Sequence, residues 1–208
     1  MTKTFIQVGA GAGDRDGYWH EDGFTTYIKR LDKQNVGRIL LVEPNPINII
    51  GLRECWKDYP QAEIYNIGIC LEASTEKNIT FYYVEEDAPN YNIFSMVEAH
   101  VRKHYPTQEM FSKIIPCLTL KEFLNENITN KDNLEMLALD IEGIDAEIIL
   151  ENDWSHINCT FLSFEALHLE ENIEAVKSKL VDSGYIFAGP GLDFHGYDWL
   201  FTNTRKLT

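Results

Sequence analysis

Phe5-Ile-Gln-Val-Gly-Ala-Gly-Ala-Gly13 is the stretch that decides the fold, because an apolar run ends there in three alternating glycines. This pattern predicts a buried strand whose backbone turns sharply at its end. A helix is predicted next, since apolar residues follow at i, i+3, i+4 and i+7 spacing from Phe24 to Leu31, and Asp22 can cap it. Strand, glycine turn and helix are the opening unit of an α/β sheet.

The rest of the chain continues this alternation of apolar runs and helix-period segments. Further strands are predicted at 38–42, 62–67, 79–84, 134–141 and 160–164. Helices are predicted after Pro46, from a capping box at Thr119, at 146–150 and at 173–180. The last apolar runs, 185–188 and 199–202, predict an antiparallel hairpin around Gly189-Pro190-Gly191. The sequence therefore predicts one α/β domain over residues 1–208.

The stretch from Glu85 to Pro116 is different, because it is polar, holds Asp87-Ala-Pro-Asn90 and has no clean period. Long irregular stretches inside compact domains are usually functional. We therefore expect an irregular insert or lid at 85–116, over the substrate pocket.

Composition and charge exclude several classes of protein. The 208 residues include 33 acidic and 18 basic side chains, a formal net charge of −15, and 44% are hydrophobic. The chain can build a large core, and its acidic balance argues against nucleic acid or an anionic membrane as the main partner. No apolar run reaches the ~18 residues of a membrane-spanning helix, and no secretory segment is evident, so a cytoplasmic location is predicted. The scattered cysteines predict reduced thiols, and no ligand spacing predicts a metal site.

The glycine turn is the first candidate site, since glycines let the backbone approach a ligand closely. The dinucleotide fingerprint Gly-x-Gly-x-x-Gly fails, because Asp14 stands where the third glycine belongs. The pattern Gly9-x-Gly11-x-Gly13 instead suits an amino-acid moiety, whose ammonium and carboxylate can contact the backbone. An ordinary tight turn is the alternative interpretation.

Glu43 closes the second predicted strand. A carboxylate at this point of a Rossmann-like sheet can accept both hydroxyls of a ribose. Asn66, which follows the third strand, would then lie near the base of an adenosine. The alternatives are a solvated strand-end acid for Glu43 and a turn-forming amide for Asn66.

Two further groups of residues follow later strands. Asp140 and Glu142 are alternate carboxylates at the end of an apolar run, where open α/β sheets bind ligands. A helix N-terminus that favours acids would explain Asp145 but not Asp140. His168 can take a proton from a hydroxyl, and Glu165 could orient it or bind substrate. A purely structural histidine is the alternative.

Taken together, these features resemble the FkbM family of S-adenosylmethionine-dependent methyltransferases. The resemblance runs from Phe5 to about Tyr185 and is carried by 5–13, Val42-Glu-Pro-Asn-Pro46, Asn66-Ile-Gly68, Pro116-Cys-Leu-Thr-Leu120, Leu139-Asp-Ile-Glu-Gly143 and Phe164-Glu165. It implies a Rossmann-like methyltransferase sheet of seven strands, mostly parallel with a C-terminal antiparallel hairpin and helices on both faces. It also implies O-methylation of a hydroxyl on a sugar or small natural product.

The resemblance places Gly9, Gly11 and Gly13 around the methionine part of S-adenosylmethionine and Glu43 at its ribose. The family commonly has an acid where Gln7 stands and a lysine where Ala138 stands.

The expected chemistry is methyl transfer to the hydroxyl of a small molecule or glycan. Carboxylates packed against a sulfonium stabilise the ground state more than the transition state, because the positive charge vanishes during transfer. We therefore assign Asp140 to orienting the cofactor and substrate, and proton removal to Glu142, Glu165 or His168. A catalytically silent S-adenosylmethionine or nucleotide-binding module stays an alternative. An NAD-dependent oxidoreductase is less favoured, since the glycine spacing is wrong and no Tyr-x-x-x-Lys occurs.

Overall fold

The computed structural model describes residues 2–14, 22–85, 93–193 and 196–206. Within them the strands are β1 (Lys3–Val8), β2 (Val36–Val42), β3 (Ala62–Tyr65), β4 (Gly68–Cys70), β5 (Asn78–Val84), β6 (Met110–Thr119), β7 (Asn133–Leu139), β8 (Phe161–Glu165), β9 (Tyr185–Pro190) and β10 (Asp198–Asn203). The helices are α1 (Gly23–Arg30), α2 (Asn48–Cys55), α3 (Glu98–His104), α4 (Leu120–Asn127), α5 (Asp145–Glu151) and α6 (Ile173–Asp182).

Seven of the strands form one sheet in the order β3-β2-β1-β7-β8-β10-β9. Neighbours from β3 to β8 run parallel, and β10 runs antiparallel to both β8 and β9. This confirms the predicted mostly parallel sheet with a C-terminal antiparallel hairpin. The strand order reverses between β1 and β7, so their carboxyl ends flank the crevice in which open α/β sheets bind ligands.

Helices cover both faces of this sheet, as predicted. On one face, Phe5 of β1 shares a buried cluster with Phe24 of α1 and Leu52 of α2. On the other face, Ile6 shares a buried cluster with side chains of α4, α5 and α6: Phe123, Ile148 and Val176. Successive β1 side chains thus point to opposite faces, which is the period of two expected of a strand.

Strands β4, β6 and β5 form a second, three-stranded sheet. Strands β5 and β6 are antiparallel from the pair Asn78 and Pro116 to the pair Val84 and Met110. The expected irregular conformation of 85–116 is therefore wrong for residues 110–116, which belong to β6. Ile114 is apolar but 67% exposed, so the sequence of β6 lacks the apolar–polar alternation that marks a strand. The part of this stretch at 86–92, with Asp87-Ala-Pro-Asn90, lies outside the described residues.

Other boundaries follow the local chemistry. The Asp22 carboxylate accepts the N–H groups of Phe24 and Thr25, which confirms the predicted cap of α1. Gly189 lies within β9, so the predicted hairpin turn at this position is wrong and the connection to β10 begins later.

The four cysteines are free thiols. Among the described helices, none has the length and apolar character needed to cross a bilayer.

Candidate active site

The glycine turn joins the carboxyl ends of three neighbouring strands. The Gly9 N–H donates to the Val42 carbonyl at 2.9 Å. Gly9, Gly11 and Gly13 have φ angles of +81°, +55° and +66°, which favour glycine. A Cβ on Gly9 would lie 1.7 Å from the Asp140 carbonyl oxygen, whereas a Cβ on Gly11 would meet nothing within 4 Å. Gly9 is thus required by packing, and Gly11 leaves a space that a ligand can fill.

Glu43 lies beneath this turn and is only 4% exposed. Its Oε2 accepts the Gly11 N–H at 2.7 Å, while its Oε1 accepts the Asn45 N–H at 2.8 Å and the Asn48 Nδ2 at 3.3 Å. Burial raises the pKa of the Glu43 carboxyl to about 7, although these three donors act to lower it. The carboxylate therefore fixes the turn and also changes protonation near neutrality.

Asn66 is exposed and contacts the chain just after β2. Its Nδ2 donates to the backbone carbonyls of Glu43 at 2.9 Å and Pro44 at 3.0 Å. The amide nitrogen thus stabilises the turn that carries Glu43. The predicted contact of Asn66 with an adenine base stays a prediction.

A cavity of about 250 Å³ opens beside the glycine turn. Four aspartates are among the residues that line it: Asp22, Asp140, Asp193 and Asp198. Burial and the neighbouring Asp193 raise the pKa of Asp198 to about 6. The cavity is therefore suited to a ligand that carries positive charge.

Gln7 also lines the cavity. Its Nε2 donates to Asp22 Oδ1 at 3.0 Å, while its Oε1 is buried with no hydrogen-bond partner in the described part of the chain. A buried acceptor without a donor costs free energy. A ligand with an N–H group would remove that cost.

Asp140 and Asp145 have different environments after β7. Asp145 is 4% exposed, and both of its oxygens accept the Ile141 N–H at 3.2 Å, so it closes the loop before α5. Asp140 is exposed to the cleft, and it begins the loop, because β7 ends one residue earlier. Desolvation by the surrounding protein, together with the nearby Glu142 and Glu165, raises the pKa of Asp140 well above its usual range.

Glu142 has a φ angle of +48°, an uncommon conformation for a residue other than glycine. Two contacts hold it. The Ser95 hydroxyl donates to the Glu142 carbonyl oxygen at 2.6 Å, and His100 Nε2 lies 3.2 Å from Glu142 Oε2. Strained backbone of this kind is concentrated at functional sites. The segment from Ser95 to His100 thus packs against the end of β7.

Glu165 and His168 lie at the end of β8, beside Glu142. The distance from His168 Nε2 to Glu165 Oε2 is 3.9 Å, too long for the hydrogen bond that would orient the imidazole. Burial, followed by the charge of Glu142, raises the pKa of Glu165 to about 7. The rings of His100 and His104 lie close to that of His168, with centroids 4.7 and 5.6 Å away.

A family profile described as "Methyltransferase FkbM domain" matches residues 7–187. The match includes the glycine turn, Glu43, Asp140 and Glu165. The chain belongs to the FkbM methyltransferase family. A search of curated protein sequences finds no significant match.

Solved methyltransferase structures resemble this FkbM family member. An FkbM methyltransferase from Methylobacillus flagellatus KT is 15% identical, with a TM-score of 0.49 over 97% of this chain and 43% of that chain. The METTL16 MTase domain is 9% identical, with a TM-score of 0.52 over 98% of this chain and 60% of that chain. Aeropyrum pernix fibrillarin, solved with natively bound S-adenosyl-L-methionine, is 12% identical, with a TM-score of 0.46 over 97% and 65%. The chain thus spans less than two thirds of each neighbour, and the METTL16 likeness shows the fold alone.

Several residues of the candidate site were not predicted from the sequence. Asp22 and Asp198 were not predicted to line a cavity, and His100 and His104 were not predicted to approach His168. The i, i+4 spacing of His100 and His104 was the feature of the sequence that could have indicated that both lie on one face of a helix.

A larger cavity, of about 570 Å³, lies at the opposite end of the sheet from the predicted residues. Its lining includes residues just before β7 and β8.

Proposed function

We propose that the chain binds S-adenosylmethionine at the glycine turn, with its aminoacyl part in the cavity beside Gly11 and its ribose at Glu43, and transfers a methyl group to a hydroxyl of a sugar or small natural product. The observation that carries this proposal is the 2.7 Å hydrogen bond from the Gly11 N–H to Glu43 Oε2. This bond joins the glycine turn to the carboxylate after β2. A single ligand can therefore place its aminoacyl group over the turn and its ribose at the carboxylate.

The residues present fit this cofactor. Gln7 Oε1 needs a donor, and the aminoacyl ammonium supplies one. Asp22 and Asp140, which line the same cavity, favour its positive charge. Glu43 accepts three hydrogen bonds, whereas a carboxylate has about four acceptor positions, so it retains capacity for a ribose hydroxyl.

When bound, S-adenosylmethionine supplies the methyl group as an electrophilic sulfonium. The chain's part is to orient the acceptor and take its proton. Asp140 orients both partners, and Glu142, Glu165 and His168 are the candidates for proton removal. Among them we favour Glu165, because its pKa of about 7 suits a general base near neutrality.

The position of residues 93–104 supports a role for the 85–116 insert in binding the acceptor. Ser95 and His100 both contact Glu142, so this segment lies at the edge of the site. The net charge of −15 repels phosphate groups, so it argues against a phosphorylated acceptor and against nucleic acid as the partner.

Calorimetric titration of the full chain with S-adenosylmethionine, and separately with NAD, tests the proposal. We expect saturable binding of the first and none of the second. Transfer of labelled methyl from S-adenosylmethionine to a panel of sugars and hydroxylated small molecules then separates an enzyme from a silent binding module. Failure to bind S-adenosylmethionine would refute the proposal; binding without any transfer would favour the silent module.

A further inference from the structure

Three histidines from two distant parts of the chain meet beside the candidate active site. His100 and His104 lie one turn apart on α3, and His168 follows β8. One ring nitrogen from each lies within 4.8 Å of the other two. The ring centroids of His100 and His104 are 4.9 Å apart. We call these three residues the histidine cluster.

Carboxylates flank the histidine cluster on two sides. Glu142 Oε2 lies 3.2 Å from His100 Nε2, and Glu165 Oε2 lies 3.9 Å from His168 Nε2. A carboxylate beside a metal-bound imidazole either accepts its second N–H or adds an oxygen to the ligand set. In both arrangements the negative charge favours a bound cation.

We propose that the histidine cluster binds one divalent transition-metal ion, with Zn²⁺ as the best-suited ion, and so fixes α3 of the insert to the end of β8. Three imidazoles with a water in the fourth position are an established zinc ligand set. No metal is predicted from the sequence, because no ligand spacing demands one, and His168 lies 64 residues beyond His104.

The geometry needs only small side-chain rotations. Zinc–nitrogen bonds of ~2.0–2.1 Å in a tetrahedron place ligand nitrogens about 3.4 Å apart. The separations of up to 4.8 Å must therefore shorten by up to about 1.4 Å, within the reach of histidine rotamers. His104 is exposed, so the open coordination position has access to water.

Metal binding has a consequence for the chemistry proposed above. A metal-bound His168 cannot accept a proton, so proton removal would fall to Glu142 or Glu165. The metal proposal itself does not depend on S-adenosylmethionine, and it is tested without it.

The test uses the full chain with any affinity tag removed, stripped with a chelator and titrated with Co²⁺. We expect one equivalent to give the visible absorption of tetrahedral Co²⁺, and Zn²⁺ to displace it. His104→Ala and His168→Ala should each weaken Co²⁺ affinity by at least about 10- to 100-fold. His156→Ala is the matched control, because this side chain is 86% exposed and is not part of the cluster.

A second measurement guards against misfolded variants. Zn²⁺ should raise the melting temperature of the wild-type chain and of His156→Ala, but not that of His104→Ala, which is chosen because its exposed side chain is dispensable for the core. Absence of tetrahedral Co²⁺ absorption in the wild type, or wild-type affinity in folded His104→Ala, would overturn the proposal. The second outcome would indicate adventitious binding to the acidic surface.

Discussion

Replacing Glu43 by glutamine removes the charge that we place at the ribose and keeps the shape of the side chain. The amide turns one oxygen into a donor, so it faces the N–H of either Gly11 or Asn45, and one of these loses its acceptor. A bond from a ribose hydroxyl to a buried carboxylate is lost at the same time.

The magnitude follows from the charge of this acceptor. Hydrogen bonds to charged groups contribute about 1.5–3 kcal/mol, so Glu43→Gln should weaken S-adenosylmethionine binding by roughly 10- to 150-fold in calorimetry. Glu54→Gln is the matched control, because it removes the same charge from a side chain that is 71% exposed. It should bind like the wild type.

The pH dependence gives a second arm. Because the pKa of Glu43 is raised to about 7 and the ligand needs the ionised form, wild-type affinity should fall about tenfold from about pH 8 to about pH 6. Glu43→Gln should lose this slope, and Glu54→Gln should keep it. A folded Glu43→Gln that binds with wild-type affinity, or that keeps the slope, would refute the assignment of Glu43 to the ribose.

Three further outcomes are expected. Gly11→Ala should fold, although its positive φ should lower the free energy of unfolding by about 1–2 kcal/mol, and it should lose S-adenosylmethionine affinity. Gly9→Ala should not fold, because its Cβ would lie 1.7 Å from a backbone oxygen. Circular dichroism measures the folding of each variant, and calorimetry measures its affinity for S-adenosylmethionine. The folded pKa values of Glu43 and Asp198, about 7 and about 6, exceed their unfolded values, so the folded chain binds more protons over this range. The free energy of unfolding in urea should rise as the pH falls from about 7 to about 5, and a fall would contradict the burial of these acids. Glu165→Gln should lower kcat by about 10²–10⁴-fold with S-adenosylmethionine affinity intact; unchanged turnover would exclude Glu165 as the base.

The elements that could be predicted from sequence are those whose information is local. The apolar run before Gly9, the cap at Asp22 and the capping box at Thr119 each involve residues a few positions apart. The edge of the sheet at which the site lies was predictable as well. Parallel strands all end at this edge, so candidate residues after β1, β2, β7 and β8 had to converge there.

The rest could not be predicted, because it depends on contacts between distant segments. Strand β6 is defined by pairing with β5, and its exposed Ile114 conceals the period. From the sequence, Asp145 is explained as an acid at the start of a helix, yet its carboxylate is buried and accepts the Ile141 N–H. The approach of His168 to His100 depends on α3 lying beside the loop that follows β7.

The acids of the cleft and the missing lysine are connected by charge. Burial and the charge of Glu142 raise the pKa values of both Asp140 and Glu165, and Ala138 brings no cation into the cavity it lines. A lysine at this position would lower those pKa values. On the proposed function, the positive charge of the cofactor would lower these pKa values too, and loss of that charge would make Asp140 and Glu165 more basic. Their basicity would then be greatest when the acceptor's proton has to leave, so the absence of lysine at position 138 is compatible with turnover.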